Sequence, residues 1–185
     1  MYIIAGLGNP GKKYENTRHN MGFIAIDLLA EEYGIKVDKL KFKSLVGEGR
    51  IAGQRVLLMK PQTYMNLSGE AIREAVHFYK IQPEEGTHNG MRSVVYQLQS
   101  DQFPRIRIGI GTEKQVDLIH YVTGGVSKGE KELLEEALTK SAKAAAAIVE
   151  KGIDKAMNEY NVRPKKKKLS AAEEVSDHSD NDNKN

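Results

Sequence analysis

The 185-residue chain contains no cysteine. Disulfides and thiolate metal sites are therefore excluded as sources of stability or chemistry. No run approaches the ~20 apolar residues of a membrane helix. The first eleven residues, Met1 to Gly11, have neither a basic start nor a long apolar stretch, so they do not read as a signal peptide and a cytosolic setting is expected. The five histidines are scattered, and the carboxylates near them lack ligand spacing, so no metal is expected. No G-x-S-x-G elbow marks a serine nucleophile, and there are no internal repeats.

What is present fits one soluble domain. Hydrophobic residues make up 39% and charged residues 29% of the chain, enough for a single sizeable core. The net charge of +3 and pI near 8.9 permit a polyanionic partner without requiring one. Position matters more than the total. Lys12, Lys13 and Arg18 flank the first loop, Arg105 and Arg107 alternate, and Lys165 to Lys168 form a block.

Tyr2 to Ala5 reads as a short strand that runs into the loop Gly6-Leu7-Gly8-Asn9-Pro10-Gly11. A helix is expected from near Asn20 to Gly34, with Ile24, Leu28 and Ala30 or Tyr33 facing inward. Val46 to Ile51 and Arg55 to Met59 suit a hairpin around Ala52-Gly53-Gln54. Helices are expected over about Ser68 to Lys80 and Asn89 to Leu98. Arg105 to Gly111 alternates with period two, the strand pattern. Ser127 and Glu130 form a capping box for a long helix over Lys128 to Lys151, ended by Gly152, with a further helical stretch to about Asn161. From Pro164 onward lysines and polar residues replace apolar ones, and this segment cannot offset its ordering entropy. The expected division is thus an α/β domain over residues 1–163 and a disordered polar tail over 164–185.

Gly6, Gly8 and Gly11 satisfy the G-x-G-x-x-G spacing of a dinucleotide site. That reading requires the third glycine to open a helix facing a pyrophosphate, whereas Pro10 and a polar stretch intervene here. The acidic residue due about 20 positions on is Asp27, within a helical pattern rather than at a strand end. A nicotinamide reading is therefore disfavoured. The loop serves better as a site wall that projects Asn9, although a plain turn would also use these residues. His19 precedes a helix, and a neutral imidazole can take a proton from water. Tyr64 could stack on a base and Asn66 could bond a hydroxyl or carbonyl. Equally, Tyr64 and Met65 could be core residues, and Asn66 or Asn89 a helix cap.

Together these segments resemble one family. Gly6 to Gly11 with Tyr14, Thr17 to Phe23, Lys60 to Gly69, His88 to Met91 and Phe103 to Gly111 are similar, in order, to the blocks of bacterial peptidyl-tRNA hydrolases, and the similarity spans about residues 1 to 161. The resemblance implies a three-layer αβα domain, with helices on both faces of a twisted mixed sheet, acting as a monomer without cofactor. It implies His19 as the base activating a water against the ester between peptide and tRNA 3′ ribose. Asn9 is implied to distinguish N-blocked from free aminoacyl groups. Tyr14, Tyr64, Asn66 and Asn89 are implied to contact the tRNA 3′ CCA end, with Met65 lining the cleft and basic residues holding the acceptor arm.

The chain departs from the family between Glu85 and Gly86, which join directly. The family has two strands there and an Asp-Asp-Leu-Asp-like motif carrying the aspartate that orients the histidine. The expectation is therefore a shortened sheet. Two activities follow, an esterase or a catalytically impaired tRNA-binding remnant. Asp101 matches no family position.

Overall fold

The computed structural model describes residues 1–15, 17–81, 92–109 and 128–161, with backbone alone at 128–130. Strand β1 (Tyr2–Ala5) stands where the short apolar run predicts it. Helix α1 (Met21–Glu32) follows, and β2 (Lys39–Lys41), β3 (Ser44–Ile51) and β4 (Gln54–Pro61) continue the sheet. The β3–β4 turn uses two residues, Ala52 and Gly53, at φ 48° and 77°, since positive φ at both positions matches the twist of the paired strands. Helices α2 (Ser68–Phe78), α3 (Arg92–Leu98), α4 (Lys128–Lys151) and α5 (Ile153–Tyr160) complete the described elements. Gly152, at φ 83°, separates the last two.

The sheet order is β1-β4-β3-β2. β1 runs parallel to β4, and the other pairs are antiparallel. Leu57, Leu58 and Met59 of β4 are fully buried because β4 is covered on both faces. On one face Ile51, Val56 and Leu58 pack with Leu29 of α1 and with Ala142, Ala146 and Val149 of α4. On the other, Val46, Leu57 and Met59 pack with Ala71, Ile72 and Ala75 of α2 and with Val94 of α3. This is the expected three-layer αβα arrangement with a mixed sheet.

Two expectations need correction. The buried face of α1 is Met21, Ile26, Leu29 and Ala30, while Ile24 and Leu28 are half-buried and Tyr33 is exposed. The helix meets the sheet on one side and α4 on the other, so its apolar stripe is rotated from the face read off a single periodic pattern. Residues 105–109 carry the alternation of a strand but pair with no strand among the described residues. A period-two pattern prepares a segment for a ladder, and the ladder itself needs a neighbour. The capping box, residues 110 and 111, and the 164–185 tail lie outside the described residues.

Candidate active site

The glycine loop after β1 crosses the start of α1 at close range. A Cβ on Gly6 would collide with the carbonyl of Gly22, and one on Gly22 with the backbone of Leu7. At Gly8 a Cβ would lie 2.8 Å from Asn20 Oδ1 and from the Phe23 ring. These glycines therefore serve loop-on-helix packing. α1 begins only at Met21, so no helix N-terminus faces a pyrophosphate behind Gly11. Asp27 receives an ion pair from Lys60 Nζ at 2.5 Å, tying α1 to β4. Neither residue type is used as a dinucleotide site would use it.

That packing fixes Asn9, which is almost fully buried. Its N–H donates to Asn20 Oδ1 at 2.8 Å, and Asn20 Nδ2 donates back to the Asn9 carbonyl at 3.1 Å. The Met65 N–H donates to Asn9 Oδ1 at 2.8 Å, across 56 residues of sequence. A backbone N–H can only be met by the side-chain oxygen, which assigns the amide orientation. The Nδ2 group is left as a donor. Sequence reasoning missed Asn20, reading it only as the helix start. It does precede α1 but makes no side-chain cap bond; its amide serves Asn9 instead. The available signal was a second asparagine beside the histidine, opposite glycines that let the loop approach.

His19 sits in a single 3-10 turn, Arg18–Asn20, immediately before α1. Its ring meets Tyr14 edge-on at 6.2 Å between centroids. Among the described residues no carboxylate is within ion-pair or hydrogen-bond range of the imidazole. Tyr14 is itself placed by its N–H bond to the Gly11 carbonyl and by the Thr17 hydroxyl, which donates to its carbonyl at 2.8 Å. Lys13 Nζ lies 4.7 Å from the Tyr14 ring centroid. A hydrogen bond with Tyr14 is the main reason its ammonium is held above the usual lysine range.

A second 3-10 turn, Met65–Leu67, presents the other side. Tyr64 is 57% exposed and Asn66 is exposed, so Tyr64 is not a core residue. Leu67, not Asn66, occupies the cap position of α2. Met65 and His19 line the same cavity. The site thus brings together Asn9, Met65, His19 and Tyr14, with Tyr64 and Asn66 facing solvent beside Met65. His88 and Asn89 lie outside the described residues.

A family model described as peptidyl-tRNA hydrolase matches residues 3–86 and 83–170. The chain belongs to the peptidyl-tRNA hydrolase family. It is 54% identical to a protein named peptidyl-tRNA hydrolase from Alkaliphilus metalliredigens, with 87% of this chain and all of that protein covered. The relative of that name from Caldanaerobacter subterraneus subsp. tengcongensis is 50% identical at the same coverage. Among solved structures, a crystal structure of peptidyl-tRNA hydrolase from Acinetobacter baumannii superposes with a TM-score of 0.79 at 32% identity, over 88% of this chain and 95% of that one. The αβα fold read from the motifs is the fold of this family. Among the described residues no helix is long and apolar enough to cross a membrane.

Proposed function

We propose that this chain hydrolyses the ester joining a peptide, or an N-blocked amino acid, to the 3′ ribose of tRNA. The observation that carries the reading is that Met65, whose N–H bonds the buried Asn9 side chain, lines one cavity with His19. His19 takes a proton from a water whose oxygen attacks the ester carbonyl carbon. The C–O bond to the ribose then breaks and the ribose oxygen takes up a proton, giving a peptide carboxylate and a free tRNA 3′ end. Asn9 supplies selectivity, a role its hydrogen-bond partners support. With Oδ1 occupied, Nδ2 offers a donor. An N-blocked residue presents an acyl carbonyl to it, whereas a free ammonium offers three donors and no acceptor. Tyr14, Tyr64, Asn66 and Asn89 contact the 3′ CCA end, the exposed Tyr64 ring stacking on a base. Lys12 and Lys13 hold phosphates without reading sequence.

The proposal extends to a monomeric cytoplasmic enzyme whose domain spans residues 1–163, and to an internal segment absent between Glu85 and Gly86. Two findings support that absence. The family model matches in two stretches that meet at residues 83–86. The alignment to the Alkaliphilus relative runs over 184 positions while using 87% of this chain, which leaves about 23 positions of the relative unmatched.

The test is release of N-acetylated amino acid from tRNA by the whole chain, beside the same tRNA carrying a free amino acid. Release from the blocked substrate alone is expected. Salt-dependent tRNA binding without any release at high enzyme concentration would overturn the esterase and leave a tRNA-binding remnant.

A further inference from the structure

Helix α2 begins without a side-chain cap of its own. Leu67, at its cap position, makes no cap bond, and the Ser68 hydroxyl is buried without a hydrogen-bond partner among the described residues. The first N–H groups of a helix have no acceptor within it and need one from outside. For Gly69 that acceptor comes from 24 residues further along the chain. Its N–H donates at 3.0 Å to the hydroxyl oxygen of Ser93, the second residue of α3.

The residue types enforce this approach. Gly69 is buried, and a Cβ there would lie 2.1 Å from the Ser93 carbonyl oxygen and 2.9 Å from Ser93 Oγ. Any side chain at this position would push the two helices apart and break the bond. Beside it, Val94 is buried with Ala71, Ile72 and Ala75 of α2, so sliding α3 along α2 would open a close-packed core. The Ser93 hydroxyl is therefore a fixed point against which α2 starts.

The same stretch of backbone leads directly to the Asn9 wall. The Ser68 N–H donates to the Met65 carbonyl and the Leu67 N–H to the Tyr64 carbonyl at 2.8 Å, so Tyr64 to Ser68 form one short hydrogen-bonded turn. At its far end the Met65 N–H donates to Asn9 Oδ1 at 2.8 Å. Residues 65–69 are thus held by a side-chain acceptor at each end, Asn9 from the glycine loop and Ser93 from α3. The Met65 N–H is also what occupies Asn9 Oδ1 and leaves Nδ2 as the donor. An amide that loses this partner is free to turn and present its oxygen instead.

We propose that Ser93 is a positioning residue for substrate selectivity. By capping Gly69 it seats the Met65 turn, and the turn fixes the orientation of the Asn9 amide. The seating rests on these hydrogen bonds alone. Its consequence for selectivity rests on the esterase reading, in which Asn9 reads the blocked nitrogen.

Two full-length variants test this. Ser93→Ala removes the acceptor, whereas Ser93→Asp keeps one, and a carboxylate suits the positive end of α2. Each is compared with the native chain in release of N-acetylated and of free amino acid from tRNA, and in hydrogen exchange at the Met65 amide. Ser93→Ala should lower the ratio of kcat/KM for blocked over free substrate by about tenfold, since small misplacements of a positioned group carry large kinetic costs. The Met65 amide should exchange about five- to tenfold faster, as one lost cap implies, while the β4 amides keep native rates. Ser93→Asp should restore both to within about threefold of native. Loss of folded protein lowers both release rates together and leaves their ratio, so the ratio reads position rather than stability. An unchanged ratio in Ser93→Ala would overturn the proposal, as would an aspartate variant as impaired as the alanine one. Native exchange at Met65 in Ser93→Ala would overturn the seating itself. No release of either substrate by the native chain would remove the esterase reading, and the exchange rates would still decide the seating.

Discussion

Asn9 and His19 both stand beside the start of α1 but are held very differently. Asn9 is gripped by three hydrogen bonds: its N–H donates to Asn20 Oδ1, and its carbonyl and Oδ1 accept from Asn20 Nδ2 and the Met65 N–H. His19 has an edge-on contact with Tyr14 and no carboxylate partner among the described residues. The Asn9 wall is assembled from the loop after β1, the turn before α1 and the turn before α2. The His19 ring lines a cavity that β1 also borders. Asn9 is thus fixed by hydrogen bonds from two separate turns, whereas His19 is held by ring packing.

The largest expected effect breaks the donor logic at the wall. Asn9→Asp keeps an acceptor for the Met65 N–H but turns the free donor into an acceptor. Selectivity for N-acetylated over free aminoacyl-tRNA should fall by at least about 100-fold, since a site built around one hydrogen bond discriminates strongly by it. Unchanged selectivity would remove Asn9 from that role.

Gly22→Ala probes how tightly the wall is packed. The added methyl meets Leu7 backbone rather than a flexible side chain, so stability should drop by about 3 kcal/mol. Chemical denaturation reads this, and a neutral result would show that the loop can back away from α1. Asn20→Ala should cost about 2 kcal/mol by leaving the buried Asn9 N–H unmatched. It should also loosen selectivity while leaving tRNA affinity intact, which separates a positioning role from a binding one.

The smallest effect lies far from the cleft and serves as a contrast. Tyr79 donates to Glu48 Oε1 at 2.7 Å, and burial with this bond pushes the phenol to about 12. A phenol raised in the fold adds stability below its unfolded pKa, lost as pH climbs from about 10 toward 12. Glu48 is held below the usual carboxylate range, chiefly by the same bond. Its contribution is present above the unfolded value and lost as pH falls through the folded one. Tyr79→Phe should move the Glu48 titration upward, as followed by carboxylate NMR, without altering turnover.

Much of the fold was legible because local chemistry dictates it: a short apolar run for β1, Ala52-Gly53 for the hairpin, Gly152 for the break between α4 and α5. The wall was legible as a position, since Gly6, Gly8 and Asn9 follow a strand end. Its mechanism was not, because the Asn20 and Met65 bonds to Asn9 span 11 and 56 residues and leave no periodic trace. Residues 105–109 show the converse limit. Alternation there was plain, but pairing depends on a neighbour that no local pattern reveals. The rotation of the α1 buried face has the same origin, in two partners acting on one helix.

The central claim is that His19 activates water in this cleft. Single-turnover release of N-acetylated amino acid from tRNA, by the native chain and by His19→Ala at matched tRNA occupancy, tests it most directly. The account predicts a loss of about 100-fold or more in the variant, with Tm and tRNA affinity unchanged. Equal release by both proteins would contradict it.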